Sequence, residues 1–232
     1  MPAQKKRPPR AVAAKRSAPS GKAAEIGKAA KTAKVAKPAP PEQPLLAFPH
    51  AAAWAAWLAE HHASSRGLWI QFAKKGTPAA SKGAPLDYAQ ALQVALAWGW
   101  IDGQKGAIDA HWWKQRFTPR GPRSLWSKVN RQKALALIAS GEIKPAGLAE
   151  VERAQRDGRW EAAYDSQSRA SVPDDLAAAL AANPRAAEFF ATLKSNNRYA
   201  ILFRVHTARP AAREARIATL VEMLARHETF HG

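Results

Sequence analysis

Five of the chain's nine tryptophans (Trp98, Trp100, Trp112, Trp113 and Trp126) crowd into one stretch, Trp98–Asn130, which reads WGWIDGQKGAIDAHWWKQRFTPRGPRSLWSKVN. Large apolar side chains alternate there with acids, amides, hydroxyls and arginines. Trp100-Ile101-Asp102-Gly103 reads as a strand running into a turn. A second strand over about 110–118 returns with Trp113, Gln115 and Phe117 on one side and Trp112, Lys114, Arg116 and Thr118 on the other, because successive strand residues point to opposite faces. The pair makes an antiparallel hairpin flanked by Asp102 and Asp109. Thr118–Arg123, TPRGPR, is a rigid basic loop. Ser127 suits the N-cap of a helix over about 128–140, which Gly141 closes.

The segments on either side read mainly as helices. Pro49 opens one over about 49–63 with Trp54, Trp57 and Leu58 at i, i+3 and i+4, ending at His61-His62, whose charge suits a helix C-terminus. Leu68–Phe72 is a short strand candidate. Asp87 caps a helix over about 88–98 that Gly99 ends. Pro145 starts another, closed by Gly158. After a polar stretch at 165–172, apolar stripes follow through Leu176, Leu180, Phe189, Phe190, Leu202, Val205, Ile217, Leu220 and Leu224, with a break at Asn183-Pro184. The expected fold class is α+β: a small antiparallel sheet packed with helices over 45–164, followed by an all-helical module over 173–230. Arg213 and Arg216 share a helix face and are expected to dock that module onto the body through carboxylates, the alternative being contact with an acidic partner.

Charge adds a third segment. The chain carries +18 at neutral pH, and half of that excess lies in residues 1–44, a Lys/Ala/Pro-rich stretch almost without large apolar residues. Such a segment cannot offset its ordering entropy by burial and is expected to be disordered. A polyanionic partner fits this balance: nucleic acid, an anionic membrane surface or lipopolysaccharide. Lys28, Lys31, Lys34 and Lys37 would reach phosphates; the plain alternative is a solubilising tether. Cysteine is absent, which excludes disulfides, thiolate catalysis and cysteine metal sites. No apolar run approaches the ~20 residues of a membrane span. The apolar stretch Ala11–Ala14 is too short for a secretory core, so a cytoplasmic setting is expected.

Motifs of known chemistry are missing. The chain has no HExxH, no Gly-rich phosphate loop and no GxSxG elbow, and Gly99, Gly103 and Gly106 do not form the dinucleotide fingerprint but read as turn glycines. No cofactor, metal or catalytic residue is assigned. What converges instead is a candidate anion or polar-ligand pocket. Arg116 and Thr118 sit on one strand face, Arg120 and Arg123 on the following loop, and Ser124, Ser127 and Asn130 at a helix start, where free amides and guanidinium forks favour anions. Asp102 lies nearby, and Trp100 and Trp126 would wall the pocket. The alternative is a structural network, with arginines paired to Asp102 or Asp109.

A series of these residues also resembles the YdeI/OmpD-associated family, known as bacteriocin-protection proteins. It runs through Gly99-Trp100-Ile101-Asp102-Gly103, Arg116-Phe117-Thr118-Pro119-Arg120, Ser124, Trp126, Ser127 and Asn130, Pro145–Leu148 and Asp157-Gly158-Arg159-Trp160. In the last region Arg198-Tyr199-Ala200, Ala208-Arg209 and Arg213 to Ile217 look like the family's C-terminal helices. The resemblance spans about 45–228. It implies a body similar to the YjbR/CyaY-like group and a helical C-terminal module. It also implies a link to resistance against bacteriocins, cationic peptides or envelope stress, through a porin partner in some members. The function it implies is non-enzymatic protection by binding a partner or anionic ligand through the 98–130 face; the other reading is a nucleic-acid-associated protein using its basic tail.

Overall fold

The computed structural model describes residues 43–77 and 86–231. The tail lysines Lys28, Lys31, Lys34 and Lys37 lie outside that range. Among the described residues the chain runs β1 (Leu45–Leu46), α1 (Ala51–His61), β2 (Leu68–Ala73), α2 (Tyr88–Ala97), β3 (Trp100–Ala107), β4 (Trp112–Pro119), α3 (Lys128–Ala139), α4 (Pro145–Arg156), α5 (Asp174–Ala181), α6 (Pro184–Thr192), α7 (Ser195–His206) and α8 (Pro210–Ala225). This is an α+β fold, as the alternation and the helical stripes imply.

The four strands form one sheet in the order β1-β2-β4-β3. β2, β4 and β3 pair antiparallel. β1 pairs parallel to β2, so the sheet is mixed rather than purely antiparallel. A two-residue strand carries no periodicity from which its direction could be read. The hairpin also differs from expectation. β3 does not turn at Gly103 but continues through a register shift between Asp102 and Lys105, so Asp102 stands mid-strand opposite Phe117. Gly103 and Gly106 therefore lie within a strand, where glycine commonly marks an irregular pairing.

Alternation gives the sheet two unlike faces. In β2, Leu68, Ile70 and Phe72 are buried while Trp69, Gln71 and Ala73 keep partial exposure. The buried face packs on α1 and α2 through Trp54, Leu58, Leu92, Leu96, Trp100 and Phe117. Trp54 sits at the centre. Its ring meets Trp100 edge-on at 6.0 Å and Phe117 at 6.0 Å, and its indole N–H donates to the Ala91 carbonyl at 3.2 Å. Asp87 and Gln90 form a reciprocal capping box that sets the start of α2. At the other end α4 crosses almost in contact. A Cβ on Gly147 would lie 2.2 Å from the Ala97 carbonyl oxygen, and the Lys144 N–H donates to that same oxygen at 3.0 Å.

A second apolar cluster joins α5 to α8 through Leu176, Phe190, Ile201, Val205, Leu220 and Leu224. Arg213 does not bind a carboxylate of the body. It donates to Asp175 at 2.6 Å and to the Val205 carbonyl at 2.6 Å, tying α8 to α5 and α7 inside this cluster. The hydrogen bond from Arg213 holds the Asp175 carboxyl below its ordinary range. A carboxyl depressed on folding contributes stability that is present above the unfolded value and lost as pH falls through the folded one. The pair being part-exposed, Arg213→Met should cost about 1 kcal/mol in urea at pH 6 and less in acid, where Asp175 is protonated and only the bond to the Val205 carbonyl is still lost. Equal costs at both pH values would refute the ionic part of this link.

Tyr164 connects the two clusters. Its backbone bonds to Trp126 and Lys128, and its ring meets Phe203 of α7 edge-on at 5.0 Å. The Tyr199 hydroxyl donates to the Asp165 carbonyl at 3.0 Å.

Candidate functional site

The site is the loop that leaves β4. Pro119 and Pro122 remove two backbone donors, and Gly121 and Ser124 close the turn: the Gly121 N–H donates to Ser124 Oγ at 2.9 Å and the Ser124 N–H to the Gly121 carbonyl at 3.0 Å. Three arginines then take up the loop's carbonyls. Arg120 Nη1 donates to the Leu125 carbonyl at 3.1 Å. Arg153 Nη2 donates to the Gly121 carbonyl at 3.1 Å and to the Arg120 carbonyl at 3.4 Å, while also pairing with Glu150. Arg159 Nη1 donates to the Ser124 carbonyl at 2.6 Å and is oriented by Asp157 at 2.7 Å. The loop is therefore held from α4 and from the turn after it.

Arg120 is the unusual member. Its residue is only 5% exposed, and its guanidinium lies 3.5 Å above the Trp126 ring. The indole face stabilises the cation. Yet Nε and Nη2 of Arg120, Nε1 of Trp126 and Nε of Arg153 have no hydrogen-bond partner. Four of the five unpaired buried side-chain polar atoms among the described residues are thus N–H donors of this one cluster, and native interiors rarely leave such groups unmet. Nε and Nη2 form the side edge of the guanidinium, the edge that meets carboxylate or phosphate through two parallel bonds. Burial pulls the Arg120 pKa down to about 10, with Glu150, Tyr164 and Asp102 opposing that shift. Arg120 therefore stays charged at neutral pH.

Two tyrosines border the same region. Tyr88 donates to Asp102 at 2.7 Å, and its pKa is pushed up by burial first and by that hydrogen bond next. Burial also pushes Tyr164 up, with the charge of Asp102 adding to it and that of Arg120 opposing. The Tyr164 ring lines a cleft of about 150 Å³ with Tyr199, Phe203 and His206.

The residues expected to share one recess are divided by the sheet. Asp102, Arg120, Ser124, Trp126 and Ser127 lie on the helix side or in the loop. Trp100 is buried among Trp54 and Trp57 and donates to the His62 carbonyl. Ser127 accepts from the Asn130 N–H at 3.1 Å, so in the cap Asn130 contributes its backbone. Arg116 and Thr118 point to the opposite sheet face, where Arg116 Nε donates to Gln43 at 2.7 Å and Thr118 stands against Gly67. Neither Asp102 nor Asp109 pairs with an arginine: Asp109 accepts from the His111 and Trp112 N–H groups at 2.7 and 2.9 Å. Sequence reasoning missed Glu150, Arg153 and Tyr164 as neighbours of Arg120, and Tyr88 as the partner of Asp102. Arg159 stood in the Asp157–Trp160 motif without a role, and only the fold brings it to Ser124.

An α+β body with a buried arginine cluster, followed by a helical module, is the class that fold and site define. Residues 46–150 match a family model described as Domain of unknown function (DUF8412). Residues 169–227 match the model described as Bacteriocin-protection, YdeI or OmpD-Associated. The resemblance expected over most of the chain is thus supported for the C-terminal helices, while the body matches a separate family and its YjbR/CyaY-like likeness finds no support there. The second match suggests a role of the bacteriocin-protection type. No curated protein and no solved structure matches the chain. Among the described residues no helix is long and apolar enough to cross a membrane, and no group of three or more His, Cys, Asp or Glu side chains could hold a metal ion.

Proposed function

We propose that the chain is a protection-type protein, directed against bacteriocins or other cationic peptides, that works by binding rather than catalysis and holds an anionic group of its ligand or partner on the free edge of Arg120. The family match of the C-terminal helices supports the role. The observation that carries the binding site is the buried, cationic Arg120 fork with neither Nε nor Nη2 partnered. Arg153 and Arg159 shape the loop around it. Carboxylate and phosphate are the two anions whose paired oxygens fit that fork.

Inorganic phosphate is the direct probe. A ligand that binds only the native state raises the melting temperature, by about 5–10 °C for a chain of this size at a hundredfold excess over its dissociation constant. Arg120→Met, which keeps much of the side chain's volume, is expected to abolish that rise. Without phosphate its melting temperature should equal or exceed that of the unsubstituted chain, because unpaired buried donors are removed. Equal shifts in both proteins, or no shift in either, would overturn the assignment.

A further inference from the structure

The sheet's other face has a different character. Outward positions of β1, β2 and β4 bring together Leu45, Trp69, Gln71, Trp112, Lys114 and Arg116, all of which keep solvent exposure. Trp69 stands directly across from Arg116 and Gln71 across from Lys114. The Lys114 ammonium lies 4.7 Å over the Trp69 ring. Trp112 lies four residues from Arg116 along β4, a span of about 14 Å with Lys114 between. None of these six is acidic, and among the described residues neither Lys114 nor Arg116 makes an ion pair.

We propose that this face binds single-stranded nucleic acid, with a base stacked on Trp69 and backbone phosphates on Lys114 and Arg116. An open sheet face bearing aromatic rings flanked by cations provides both elements such binding needs: a flat π-surface that accepts any base, and positive charge along the backbone. Lys114 now occupies the position over the indole that a base would take. Its flexible stem lets the ammonium swing off the ring toward a phosphate. Glutamate side chains of an acidic peptide would satisfy the cations but leave the indoles without a stacking partner. Duplex would hide the base faces that the rings need. The proposal concerns residues of the sheet and is independent of the Arg120 site.

The test uses the full chain and a fluorescently labelled 15-nucleotide oligo-dT, read by anisotropy over a salt series. Because the basic residues before position 43 attract any polyanion, the comparison is between variants rather than with no binding. Trp69→Ala should weaken oligo-dT binding by about tenfold or more, and Trp69→Phe should restore most of it. The double change Lys114→Gln with Arg116→Gln should flatten the dependence of log affinity on log salt by about 1.4, near 0.7 per phosphate contact on a single strand. Binding of duplex and of polyglutamate of equal charge should ignore Trp69. Circular dichroism confirms that each variant is folded. The proposal fails if folded Trp69→Ala and the double variant bind oligo-dT as the unsubstituted chain does, or if Trp69→Ala weakens duplex or polyglutamate binding as much as it weakens oligo-dT binding.

Discussion

Gly147→Ala is expected to lower the unfolding free energy by about 3 kcal/mol, the upper end of the usual cost of overpacking. In an exposed helix the same change would gain about 1 kcal/mol of helix propensity. Here the added Cβ would lie 2.2 Å from the Ala97 carbonyl oxygen, 2.8 Å from its carbon and 3.0 Å from the Leu96 oxygen. All three are backbone atoms at the end of α2, so no side chain can rotate away. Either α4 lifts or α2 frays, and the bond from the Lys144 N–H to Ala97 is disturbed in both cases. Because α4 carries Glu150 and Arg153, phosphate binding at Arg120 should weaken in parallel. Urea unfolding decides the matter: a variant within 1 kcal/mol of the parent would mean that the helices separate at little cost.

Trp126→Ala should cost about 4 kcal/mol, and about 10 °C in melting temperature, as truncation of buried aromatics does. The residue is 2% exposed, packs edge-on against Trp160 at 4.8 Å and supports the Arg120 guanidinium. Trp126→Phe keeps a ring under the cation and deletes an N–H that has no partner. Its expected cost is smaller by more than half. If the two variants are equally destabilised, the indole nitrogen has a partner in solution and Trp126 is not a free donor.

Much of the architecture was legible from local rules. Glycines at 99, 141 and 158 do follow helix ends with positive φ, Pro145 and Pro210 do open helices, and the break at Asn183-Pro184 is the cap and first residue of another. The two faces of β4 follow from alternation alone. The parallel partner Leu45-Leu46 was not legible because two residues carry no period. The length of β3 was hidden because Gly103 and Gly106 imitate a turn. The candidate site was legible only in part. Arg120 and Trp126 announce themselves by type and spacing, but their neighbours Glu150, Arg153, Arg159 and Tyr164 come from segments 24 or more residues downstream, brought in by a helix crossing that no local pattern encodes. Arg116 and Thr118 were grouped with Arg120 because the three fall at alternate positions of one run, whereas β4 ends at Pro119 and Arg120, beyond the strand, turns to the other side.

Tyr164 is a shared keystone. Its main chain closes the edge of the arginine-bound loop, while its ring rests on a helix of the C-terminal group. Melting either apolar cluster strips one side of that residue and leaves the other without its wedge. The two halves of the molecule are thereby energetically coupled at one seam, to which the Tyr199 and His206 contacts with the Asp165 and Ala162 carbonyls also contribute, and anything that tightens the loop also steadies the distant helices.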